Sequence, residues 1–316
     1  AASDVYKRQD RLRHPNDLNM PYGFKKKNLI KDGKDQWIHS KNTISYPSAH
    51  ITHKVYDSNN LKSPLDREQA MLQGVVFNNN KRANTTFSPN KNLLNDAQLQ
   101  LKDSKWEKKN QLNVDKNNGG VQLTLPQSLT KKYKDMYIEM DVELLTPDKE
   151  HSIGVNEYTQ NRNALSYKYR RFVTPVTMRV KASDKLNIHM SKGIYRFKVK
   201  GIYGENYQTL RKASHDLKRV KVKKERNGYT MTKNKNDSGY IILPIAYAKG
   251  MKAKAENQSI TVKQANGIMT AIPAKAGQST IRLTYTPPHF YLLIILSVIG
   301  ILLSIIFARK IRKNKI

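Results

Sequence analysis

Alternating carboxylates form the most suggestive arrangement of chemical groups in the sequence. Glu139, Asp141 and Glu143 lie two residues apart in a segment that predicts a β-strand, so all three side chains should share one face. Such a row could bind calcium or a sugar. A solvated strand face is the more common meaning of the same pattern, and we favour that interpretation.

The remaining residue types that could do chemistry do not assemble into a site. His50 and His53 are three apart but have no second pair or acidic partner at metal-site spacing, so a surface loop is favoured. For Trp37 and Trp106, core packing is favoured over stacking on a sugar ring. The chain has no cysteine and no phosphate-binding loop, nucleophile elbow or H-E-x-x-H motif. We therefore predict no catalytic residue, no metal ligand and no cofactor.

A helix is predicted at residues 64–73. Ser63 can cap it, Pro64 takes the first helical position, and Asp66 and Glu68 place negative charge near its positive end. Gly74 should end it as a left-handed cap. We interpret this helix as a structural brace; if it is instead functional, Arg67 and Glu68 are the candidate residues. A second short helix is predicted at 92–102.

The fold class is predicted to be mainly β. From Gly119 onward, apolar and polar residues alternate with a period of two, which is typical of strands with one buried face. Their spacing favours an antiparallel, jelly-roll-like β-sandwich. A smaller β meander should follow, with strands at 228–233, 239–247, 251–256, 259–264, 267–272 and 279–286. The strands of the predicted sandwich are 121–125, 136–144, 175–182 and 193–201.

A transmembrane helix is predicted near the C-terminus. The uncharged apolar run at 290–308 has about 19 residues, enough to cross a hydrocarbon core of roughly 30 Å. Phe290 and Tyr291 fit an interfacial aromatic belt at one end. Ala308 ends the run at the other, and Arg309 and Lys310 begin a basic cluster that would be retained in the cytoplasm. A buried core helix with a basic last turn is the alternative.

The composition is strongly basic, with a formal net charge of +32. Such a chain attracts polyanions through a field that salt screens. With a membrane span present, we expect anionic envelope polymers or lipid headgroups rather than nucleic acid. The alternative is a lysine-rich surface that only solvates the protein. The basic clusters lie at 25–27, 131–134, 168–171 and 219–226.

The first residues, AASDVYKRQ, lack an initiator methionine and resemble a translated adaptor sequence. A domain exported by one C-terminal span needs something upstream to export it, so we expect a C-terminal fragment of a larger protein. The predicted division is 1–9 artefact, 10–105 polar loop and helix region, 106–222 β-sandwich, 223–287 small β-domain, 288–309 transmembrane helix and 310–316 basic cytoplasmic tail.

Five segments in order resemble the C-terminal part of the bacterial YfhO family, large membrane proteins regarded as lipid-linked-sugar glycosyltransferases. They are PYGF at 21–24, NTISYPSAH at 42–50, DREQAMLQGVV at 66–76, GYIILPIAYAKGMKAKAENQ at 239–258 and LTYTPP at 283–288. One departure is visible, because Met251 follows Gly250 where the family tends to carry tryptophan.

The resemblance implies an extracytoplasmic accessory domain and last span of a transferase that uses an undecaprenyl-phosphate sugar and glycosylates lipoteichoic acid or a related polymer. The family's catalytic carboxylates lie in N-terminal loops, which this sequence does not contain. The alternative is a non-enzymatic, membrane-anchored β-sandwich that binds sugar or an anionic envelope polymer. The expected partners are the lipid bilayer, teichoic acid and the lipid-linked sugar; the expected location is the bacterial cell membrane.

Overall fold

The computed structural model describes residues 7–12, 22–32, 35–44, 46–78, 83–146, 149–164, 166–168, 174–256 and 258–313. The chain divides into two compact units, each of which is discontinuous in sequence. Unit 1 comprises residues 1–46 and 56–215, and unit 2 comprises residues 47–55 and 216–316. The described residues are mostly β, which confirms the predicted fold class.

Unit 1 contains most of the strands and three helices. Its elements are β1 (Lys7–Leu12), β2 (Phe24–Asp32), β3 (Asp35–Asn42), β5 (Val55–Asp57, starting at the unit boundary), α1 (Pro64–Gln73), β6 (Val75–Phe77), β7 (Gln98–Lys102), β8 (Ser104–Lys108), β9 (Gln111–Val114), β10 (Gly119–Thr124), α2 (Gln127–Thr130), β11 (Asp135–Thr146), β12 (His151–Val155), β13 (Tyr158–Arg162), β14 (Pro175–Lys181), β15 (Lys185–Met190), β16 (Gly193–Glu205) and α3 (Gln208–Asp216).

Unit 2 contains the remaining strands and the apolar helix. Its elements are β4 (His50–Thr52), β17 (Lys218–Arg219), β18 (Lys221–Glu225), β19 (Gly228–Thr232), β20 (Gly239–Ala246), β21 (Met251–Ala255), β22 (Gln258–Ile260), β23 (Lys263–Ala265), β24 (Met269–Ala274), β25 (Thr280–Tyr285) and α4 (Phe290–Lys313).

The centre of unit 1 is a β-sandwich of two five-stranded antiparallel sheets. One sheet has the order β13-β12-β15-β10-β7 and the other β14-β11-β16-β9-β8. Buried side chains from both sheets form one apolar core, in which Tyr195 and Phe197 are the largest. The four strands predicted for the sandwich correspond to β10, β11, β14 and β16. Alternation is clear in β14, where every second residue is buried.

The polar N-terminal region also forms strands, which the sequence patterns did not predict. β1, β2 and β3 make a three-stranded antiparallel sheet with β3 in the middle. Ile38 in β3 is fully buried. Because polar and charged residues occupy most of the other positions, the alternation of apolar residues is too sparse to read from the sequence.

Two local predictions for unit 1 are wrong. The predicted helix at 92–102 is a single 3₁₀ turn at Leu93–Asp96 followed by β7, because residues after the turn pair with β10. Gly74 does end α1, but its φ of −167° is extended rather than left-handed. The chain passes directly from Gly74 into β6, so it has no need of a reversing cap.

Neither tryptophan is fully buried, although core packing was expected. Trp106 on β8 is 41% exposed, and its ring lies 6.3 Å from that of Phe197. Trp37 on β3 is half-buried. Trp106 lies on an outer strand of its sheet, and Trp37 lies in a small three-stranded sheet. In both places a large ring can be covered on one side only.

Unit 2 is also built from two five-stranded sheets with a shared core, which is more than a single meander. The orders are β17-β4-β20-β24-β23 and β18-β19-β25-β21-β22. The predicted strand at 259–264 divides into β22 and β23, which belong to different sheets. The turn between β23 and β24 has positive φ at Asn266 and Gly267.

His50 corrects the prediction of a surface loop. It lies in β4, between β17 and β20, and is only 2% exposed. Its Nδ1 is 3.3 Å from the carbonyl oxygen of Pro47, and burial lowers its pKa to about 4. His53, just beyond the strand, is exposed as predicted.

The two faces of β10 give a direct test of the sandwich. Leu123 lies in the core at 1% exposure, so Leu123→Ala should lower the free energy of unfolding by about 2–5 kcal/mol. The neighbouring Thr124 faces outward, and Thr124→Ala should change it by only about 0.5 kcal/mol. Urea unfolding monitored by tryptophan fluorescence measures both; equal losses would contradict the assignment of faces.

Candidate functional site

The candidate residues of α1 lie beside a buried polar cluster, and the helix cap contributes to it. The Ser63 Oγ accepts the backbone N–H of Asp66 at 3.0 Å, and Asp66 Oδ2 accepts the backbone N–H of Ser63 at 3.1 Å. The predicted cap is confirmed. Asp66 is 1% exposed, and its Oδ1 also accepts two hydrogen bonds from Asn90, at 2.8 and 2.7 Å. The carboxylate therefore accepts three hydrogen bonds, all from neutral donors.

Glu68 connects α1 to the outer face of the second sandwich sheet. Its Oε2 accepts a hydrogen bond of 2.6 Å from the hydroxyl of Tyr137 on β11. Tyr137 is also hydrogen-bonded to Arg179, its register partner on β14. Burial, with a smaller contribution from Glu68, raises the pKa of Tyr137, so the phenol stays protonated and keeps donating.

The end of β16 brings a second carboxylate under the helix. Glu205 is 3% exposed and accepts a 3.0 Å hydrogen bond from Gln69 Nε2, together with the backbone N–H of Tyr207. Burial raises the pKa of Glu205, while these two hydrogen bonds oppose the rise. Gln69 in turn accepts from Asn90, which links this carboxylate to that of Asp66.

Tyr207 extends the cluster towards the N-terminal part of unit 1. Its hydroxyl donates to Asp135, which is also paired with Lys181 at 2.9 Å. Its ring stacks on that of Tyr22, with centroids 4.0 Å apart and planes at 3°. The Arg211 guanidinium lies over the Tyr22 ring, 5.3 Å from its centroid. Tyr22 belongs to the PYGF segment, so this segment is held by the same network.

The candidate residues predicted from the sequence lie in different environments. Glu68 is part of the cluster, whereas Arg67 is exposed. Within the described part of the chain, no side-chain hydrogen bond or ion pair involves Arg67. The row Glu139, Asp141 and Glu143 faces one side, as predicted, and is paired with two basic residues of β16, Lys200 and Arg196.

Sequence reasoning missed most of the cluster, although one signal was available. Asp135 and Tyr137 continue the same outward-facing period of two as Glu139, so extending that row backwards would have found them. Glu205 carries no such signal, because a β-bulge in β16 shifts its register against β11 next to Glu139. Tyr207 lies beyond the end of β16 and is in no strand. Among the described residues, no group of three or more His, Asp or Glu side chains could hold a metal ion.

The predicted anchor forms a continuous helix, α4. Its span Phe290–Lys310 has a mean hydropathy of 2.9, and none of it is buried inside the protein. The hydroxyls of Ser297 and Ser304 donate to backbone carbonyls one turn earlier, each at 2.8 Å. A helix with its polar groups satisfied internally can lie in hydrocarbon, whereas exposing this surface to water would be unfavourable.

Comparison with known proteins identifies the family. A family model described as "Bacterial membrane protein YfhO" matches residues 5–297. The chain belongs to the YfhO family. It is 27% identical over 300 residues to the "Uncharacterized protein YfhO" of Bacillus subtilis (strain 168), an alignment that covers 93% of this chain and 34% of that protein. The chain thus spans about a third of the length of this curated YfhO relative. No solved structure matches it.

The cap of α1 gives the first prediction for the cluster. Ser63→Ala removes one acceptor at the helix start and should lower the free energy of unfolding by about 0.5–2 kcal/mol. Ser58→Ala is the matched control, since Ser58 lies in a 3₁₀ turn outside α1. Thermal unfolding of both variants measures the difference, and similar values for the two would show that the cap does not stabilise α1.

Glu205 predicts a pH dependence of stability. Because its pKa is raised above the ordinary value of 4.5, protonation favours the folded state. The contribution of Glu205 to stability is present below that value and is lost as pH rises through the raised pKa. Glu205→Gln should therefore match the wild type at low pH and gain relative stability as pH increases. A constant difference across urea titrations at several pH values would contradict this.

The anchor predicts the behaviour of the chain during extraction. The 316-residue chain should sediment with membranes, resist carbonate washing and dissolve in detergent, because α4 is long and apolar enough to cross a bilayer. A truncation that ends at Pro287 should remain in the supernatant as the control. Release of the full chain by carbonate alone would contradict a membrane span.

Proposed function

We propose that this chain is the extracytoplasmic accessory domain and last transmembrane helix of an envelope glycosyltransferase that uses a lipid-phosphate sugar donor. Its acceptor in this proposal is lipoteichoic acid or a related cell-wall polymer. Membership of the YfhO family is the observation that carries the proposal, together with the sequence-level resemblance to its C-terminal part.

The contacts of the carboxylates support an accessory rather than a catalytic role for these residues. Asp66, Glu68, Asp135 and Glu205 each already accept a hydrogen bond from a neighbouring side chain or from the backbone. A general base needs a proton of the substrate within hydrogen-bond reach. Carboxylates that already bind neighbouring residues are better suited to holding those residues in place, so in this proposal the reaction takes place in the part of the protein outside this chain.

The basic residues at the end of α4 support the proposed orientation. Arg309 and Lys310 follow the apolar span directly, and such clusters are retained on the cytoplasmic side. Both β-units then lie outside the cell. The exposed lysines Lys131, Lys132 and Lys134 would face anionic polymers and lipid headgroups there.

The full-length protein, with a C-terminal tag, provides the test of this function. In intact cells, external protease should degrade the β-units and spare the tag. In a strain without the native protein, Arg67→Ala should leave glycosylation of lipoteichoic acid unchanged, because α1 is a brace. Leu123→Asp, which disrupts the sandwich core, should reduce glycosylation.

Two results would contradict the proposal. Protection of the β-units in protease-accessible cells would reverse the orientation. Unchanged glycosylation with a protein that lacks residues 22–287, expressed at the wild-type level, would remove the accessory role. If Arg67→Ala abolishes glycosylation with thermal stability unchanged, α1 is functional and the brace interpretation is wrong.

A non-enzymatic module that binds an anionic polymer is the second candidate, and the basic surface favours it. Binding of anionic vesicles should then fall when Lys131, Lys132 and Lys134 are changed to Gln. The control changes three scattered exposed lysines, Lys105, Lys109 and Lys254. Equal losses would indicate a diffuse field, since exposed charges act over a Debye length of roughly 8–10 Å near physiological salt.

A further inference from the structure

The outer face of the first sandwich sheet carries a histidine between two glycines. His189 on β15 is the register partner of Gly120 on β10 and of Gly154 on β12. Both glycine positions exclude a larger residue. A Cβ at Gly120 would lie 2.2 Å from the carbonyl oxygen of Ile188, and one at Gly154 would lie 2.3 Å from the imidazole Cε1 of His189. The imidazole of His189 therefore lies directly over Gly154, in the space that a side chain at that position would take.

The orientation of the imidazole is set by a neighbouring turn. His189 Nε2 is 3.0 Å from the backbone carbonyl oxygen of Asn156. Because a carbonyl oxygen can only accept, Nε2 carries the hydrogen in the neutral ring, and Nδ1 presents a lone pair. In the described part of the chain, this buried Nδ1 has no hydrogen-bond partner.

The same turn positions a second acceptor two residues earlier on β15. The backbone N–H of Asn187 donates to Asn156 Oδ1 at 2.9 Å, and its carbonyl accepts from the Asn156 backbone N–H at 2.9 Å. The side-chain Oδ1 of Asn187 is buried and likewise lacks a partner among the described residues. Residues two apart on a strand share a face, so the two acceptors lie side by side.

Both acceptors line one small depression of about 160 Å³. Lys102, Asn118 and Gly120 also line it. The volume is below the roughly 300–1,000 Å³ of pockets for drug-sized ligands, which limits the occupant to one small unit. Buried polar atoms without partners are uncommon in proteins and call for a donor from elsewhere.

We propose that this depression binds one sugar ring, with ligand hydroxyls donating to Asn187 Oδ1 and His189 Nδ1. Hydroxyl groups both donate and accept, so a third hydroxyl can accept from the ammonium of Lys102. Inorganic phosphate at neutral pH is mainly an acceptor and fits two acceptor atoms less well than a sugar does, and two neutral ligands without a carboxylate make a poor site for a hard cation. The site rests on the hydrogen bonds and burial of Asn187 and His189. Only its natural ligand, a sugar of an envelope polymer, rests on the proposed function.

The full chain in lauryldimethylamine oxide provides the test, because maltoside detergents carry sugar headgroups that would compete. Saturation-transfer NMR would measure binding of methyl glucoside, methyl galactoside and methyl N-acetylglucosaminide, with inorganic phosphate as the anionic probe. The double variant Asn187→Ala/His189→Ala should weaken binding of the preferred glycoside about tenfold or more. The control Asn113→Ala/His215→Ala removes the same residue types elsewhere in unit 1 and should leave binding unchanged.

A single substitution tests the site independently, in case the double variant misfolds. Lys102 is exposed on the outermost strand of its sheet, so Lys102→Met should fold normally and weaken glycoside binding severalfold. The proposal would be overturned if no glycoside binds at any concentration from about 50-fold below its solubility limit up to that limit. Binding of phosphate alone, or an equal loss of glycoside binding in the control variant, would also overturn it. None of these outcomes bears on orientation or polymer glycosylation, which are measured separately in cells.

Discussion

The apolar layer between the two sheets of unit 1 is the constraint on which its other features depend. Its side chains come from both sheets, and most of them are fully buried. Because side chains of a strand alternate between faces, burying one set fixes which residues point outward. A shift of one residue in β11 would move Tyr137 into the core and a methionine or isoleucine to the surface. The polar cluster and the depression both exist because this register is fixed.

The two outer faces of the sandwich solve different problems. On the β11 side, α1 covers part of the sheet, and every buried carboxylate there must find donors. Asn90 donates to Asp66, and Gln69 donates to Glu205. Asp135 accepts from Tyr207, so burial of these carboxylates is tolerated. On the β15 side, His189 lies between Gly120 and Gly154 of the two neighbouring strands, and its Nδ1 has no hydrogen-bond partner among the described residues. One face is therefore closed by hydrogen bonding, and the other keeps acceptors available.

Membership of the YfhO family connects these features to a membrane. The chain covers about a third of its curated relative, and α4 is a candidate membrane span. An ordered domain attached to a membrane enzyme can hold a polymer near the reaction without contributing to the chemistry. In the function that we propose for this chain, the hydrogen-bonded carboxylates of unit 1 have that structural role.

Local features of this protein were determined by the sequence alone. The serine, proline and acidic residues that begin α1, the alternation of β10, β11, β14 and β16, and the uncharged run of α4 each depend on neighbours within a few residues. Such signals are read directly, because helix caps, strand faces and hydrophobic length are local properties. The family resemblance, also visible in the sequence, was confirmed by comparison.

Only the tertiary structure decided which distant residues meet. Glu68 and Tyr137 are 69 residues apart, and Gln69 and Glu205 are 136 apart, so no periodicity could pair them. The sequence predicted a surface loop for His50, whereas in the fold it lies on β4, between β17 and β20. The glycines beside His189 come from two other strands. Strand order is set by long-range burial of apolar faces, and a single sequence contains the faces but not their partners.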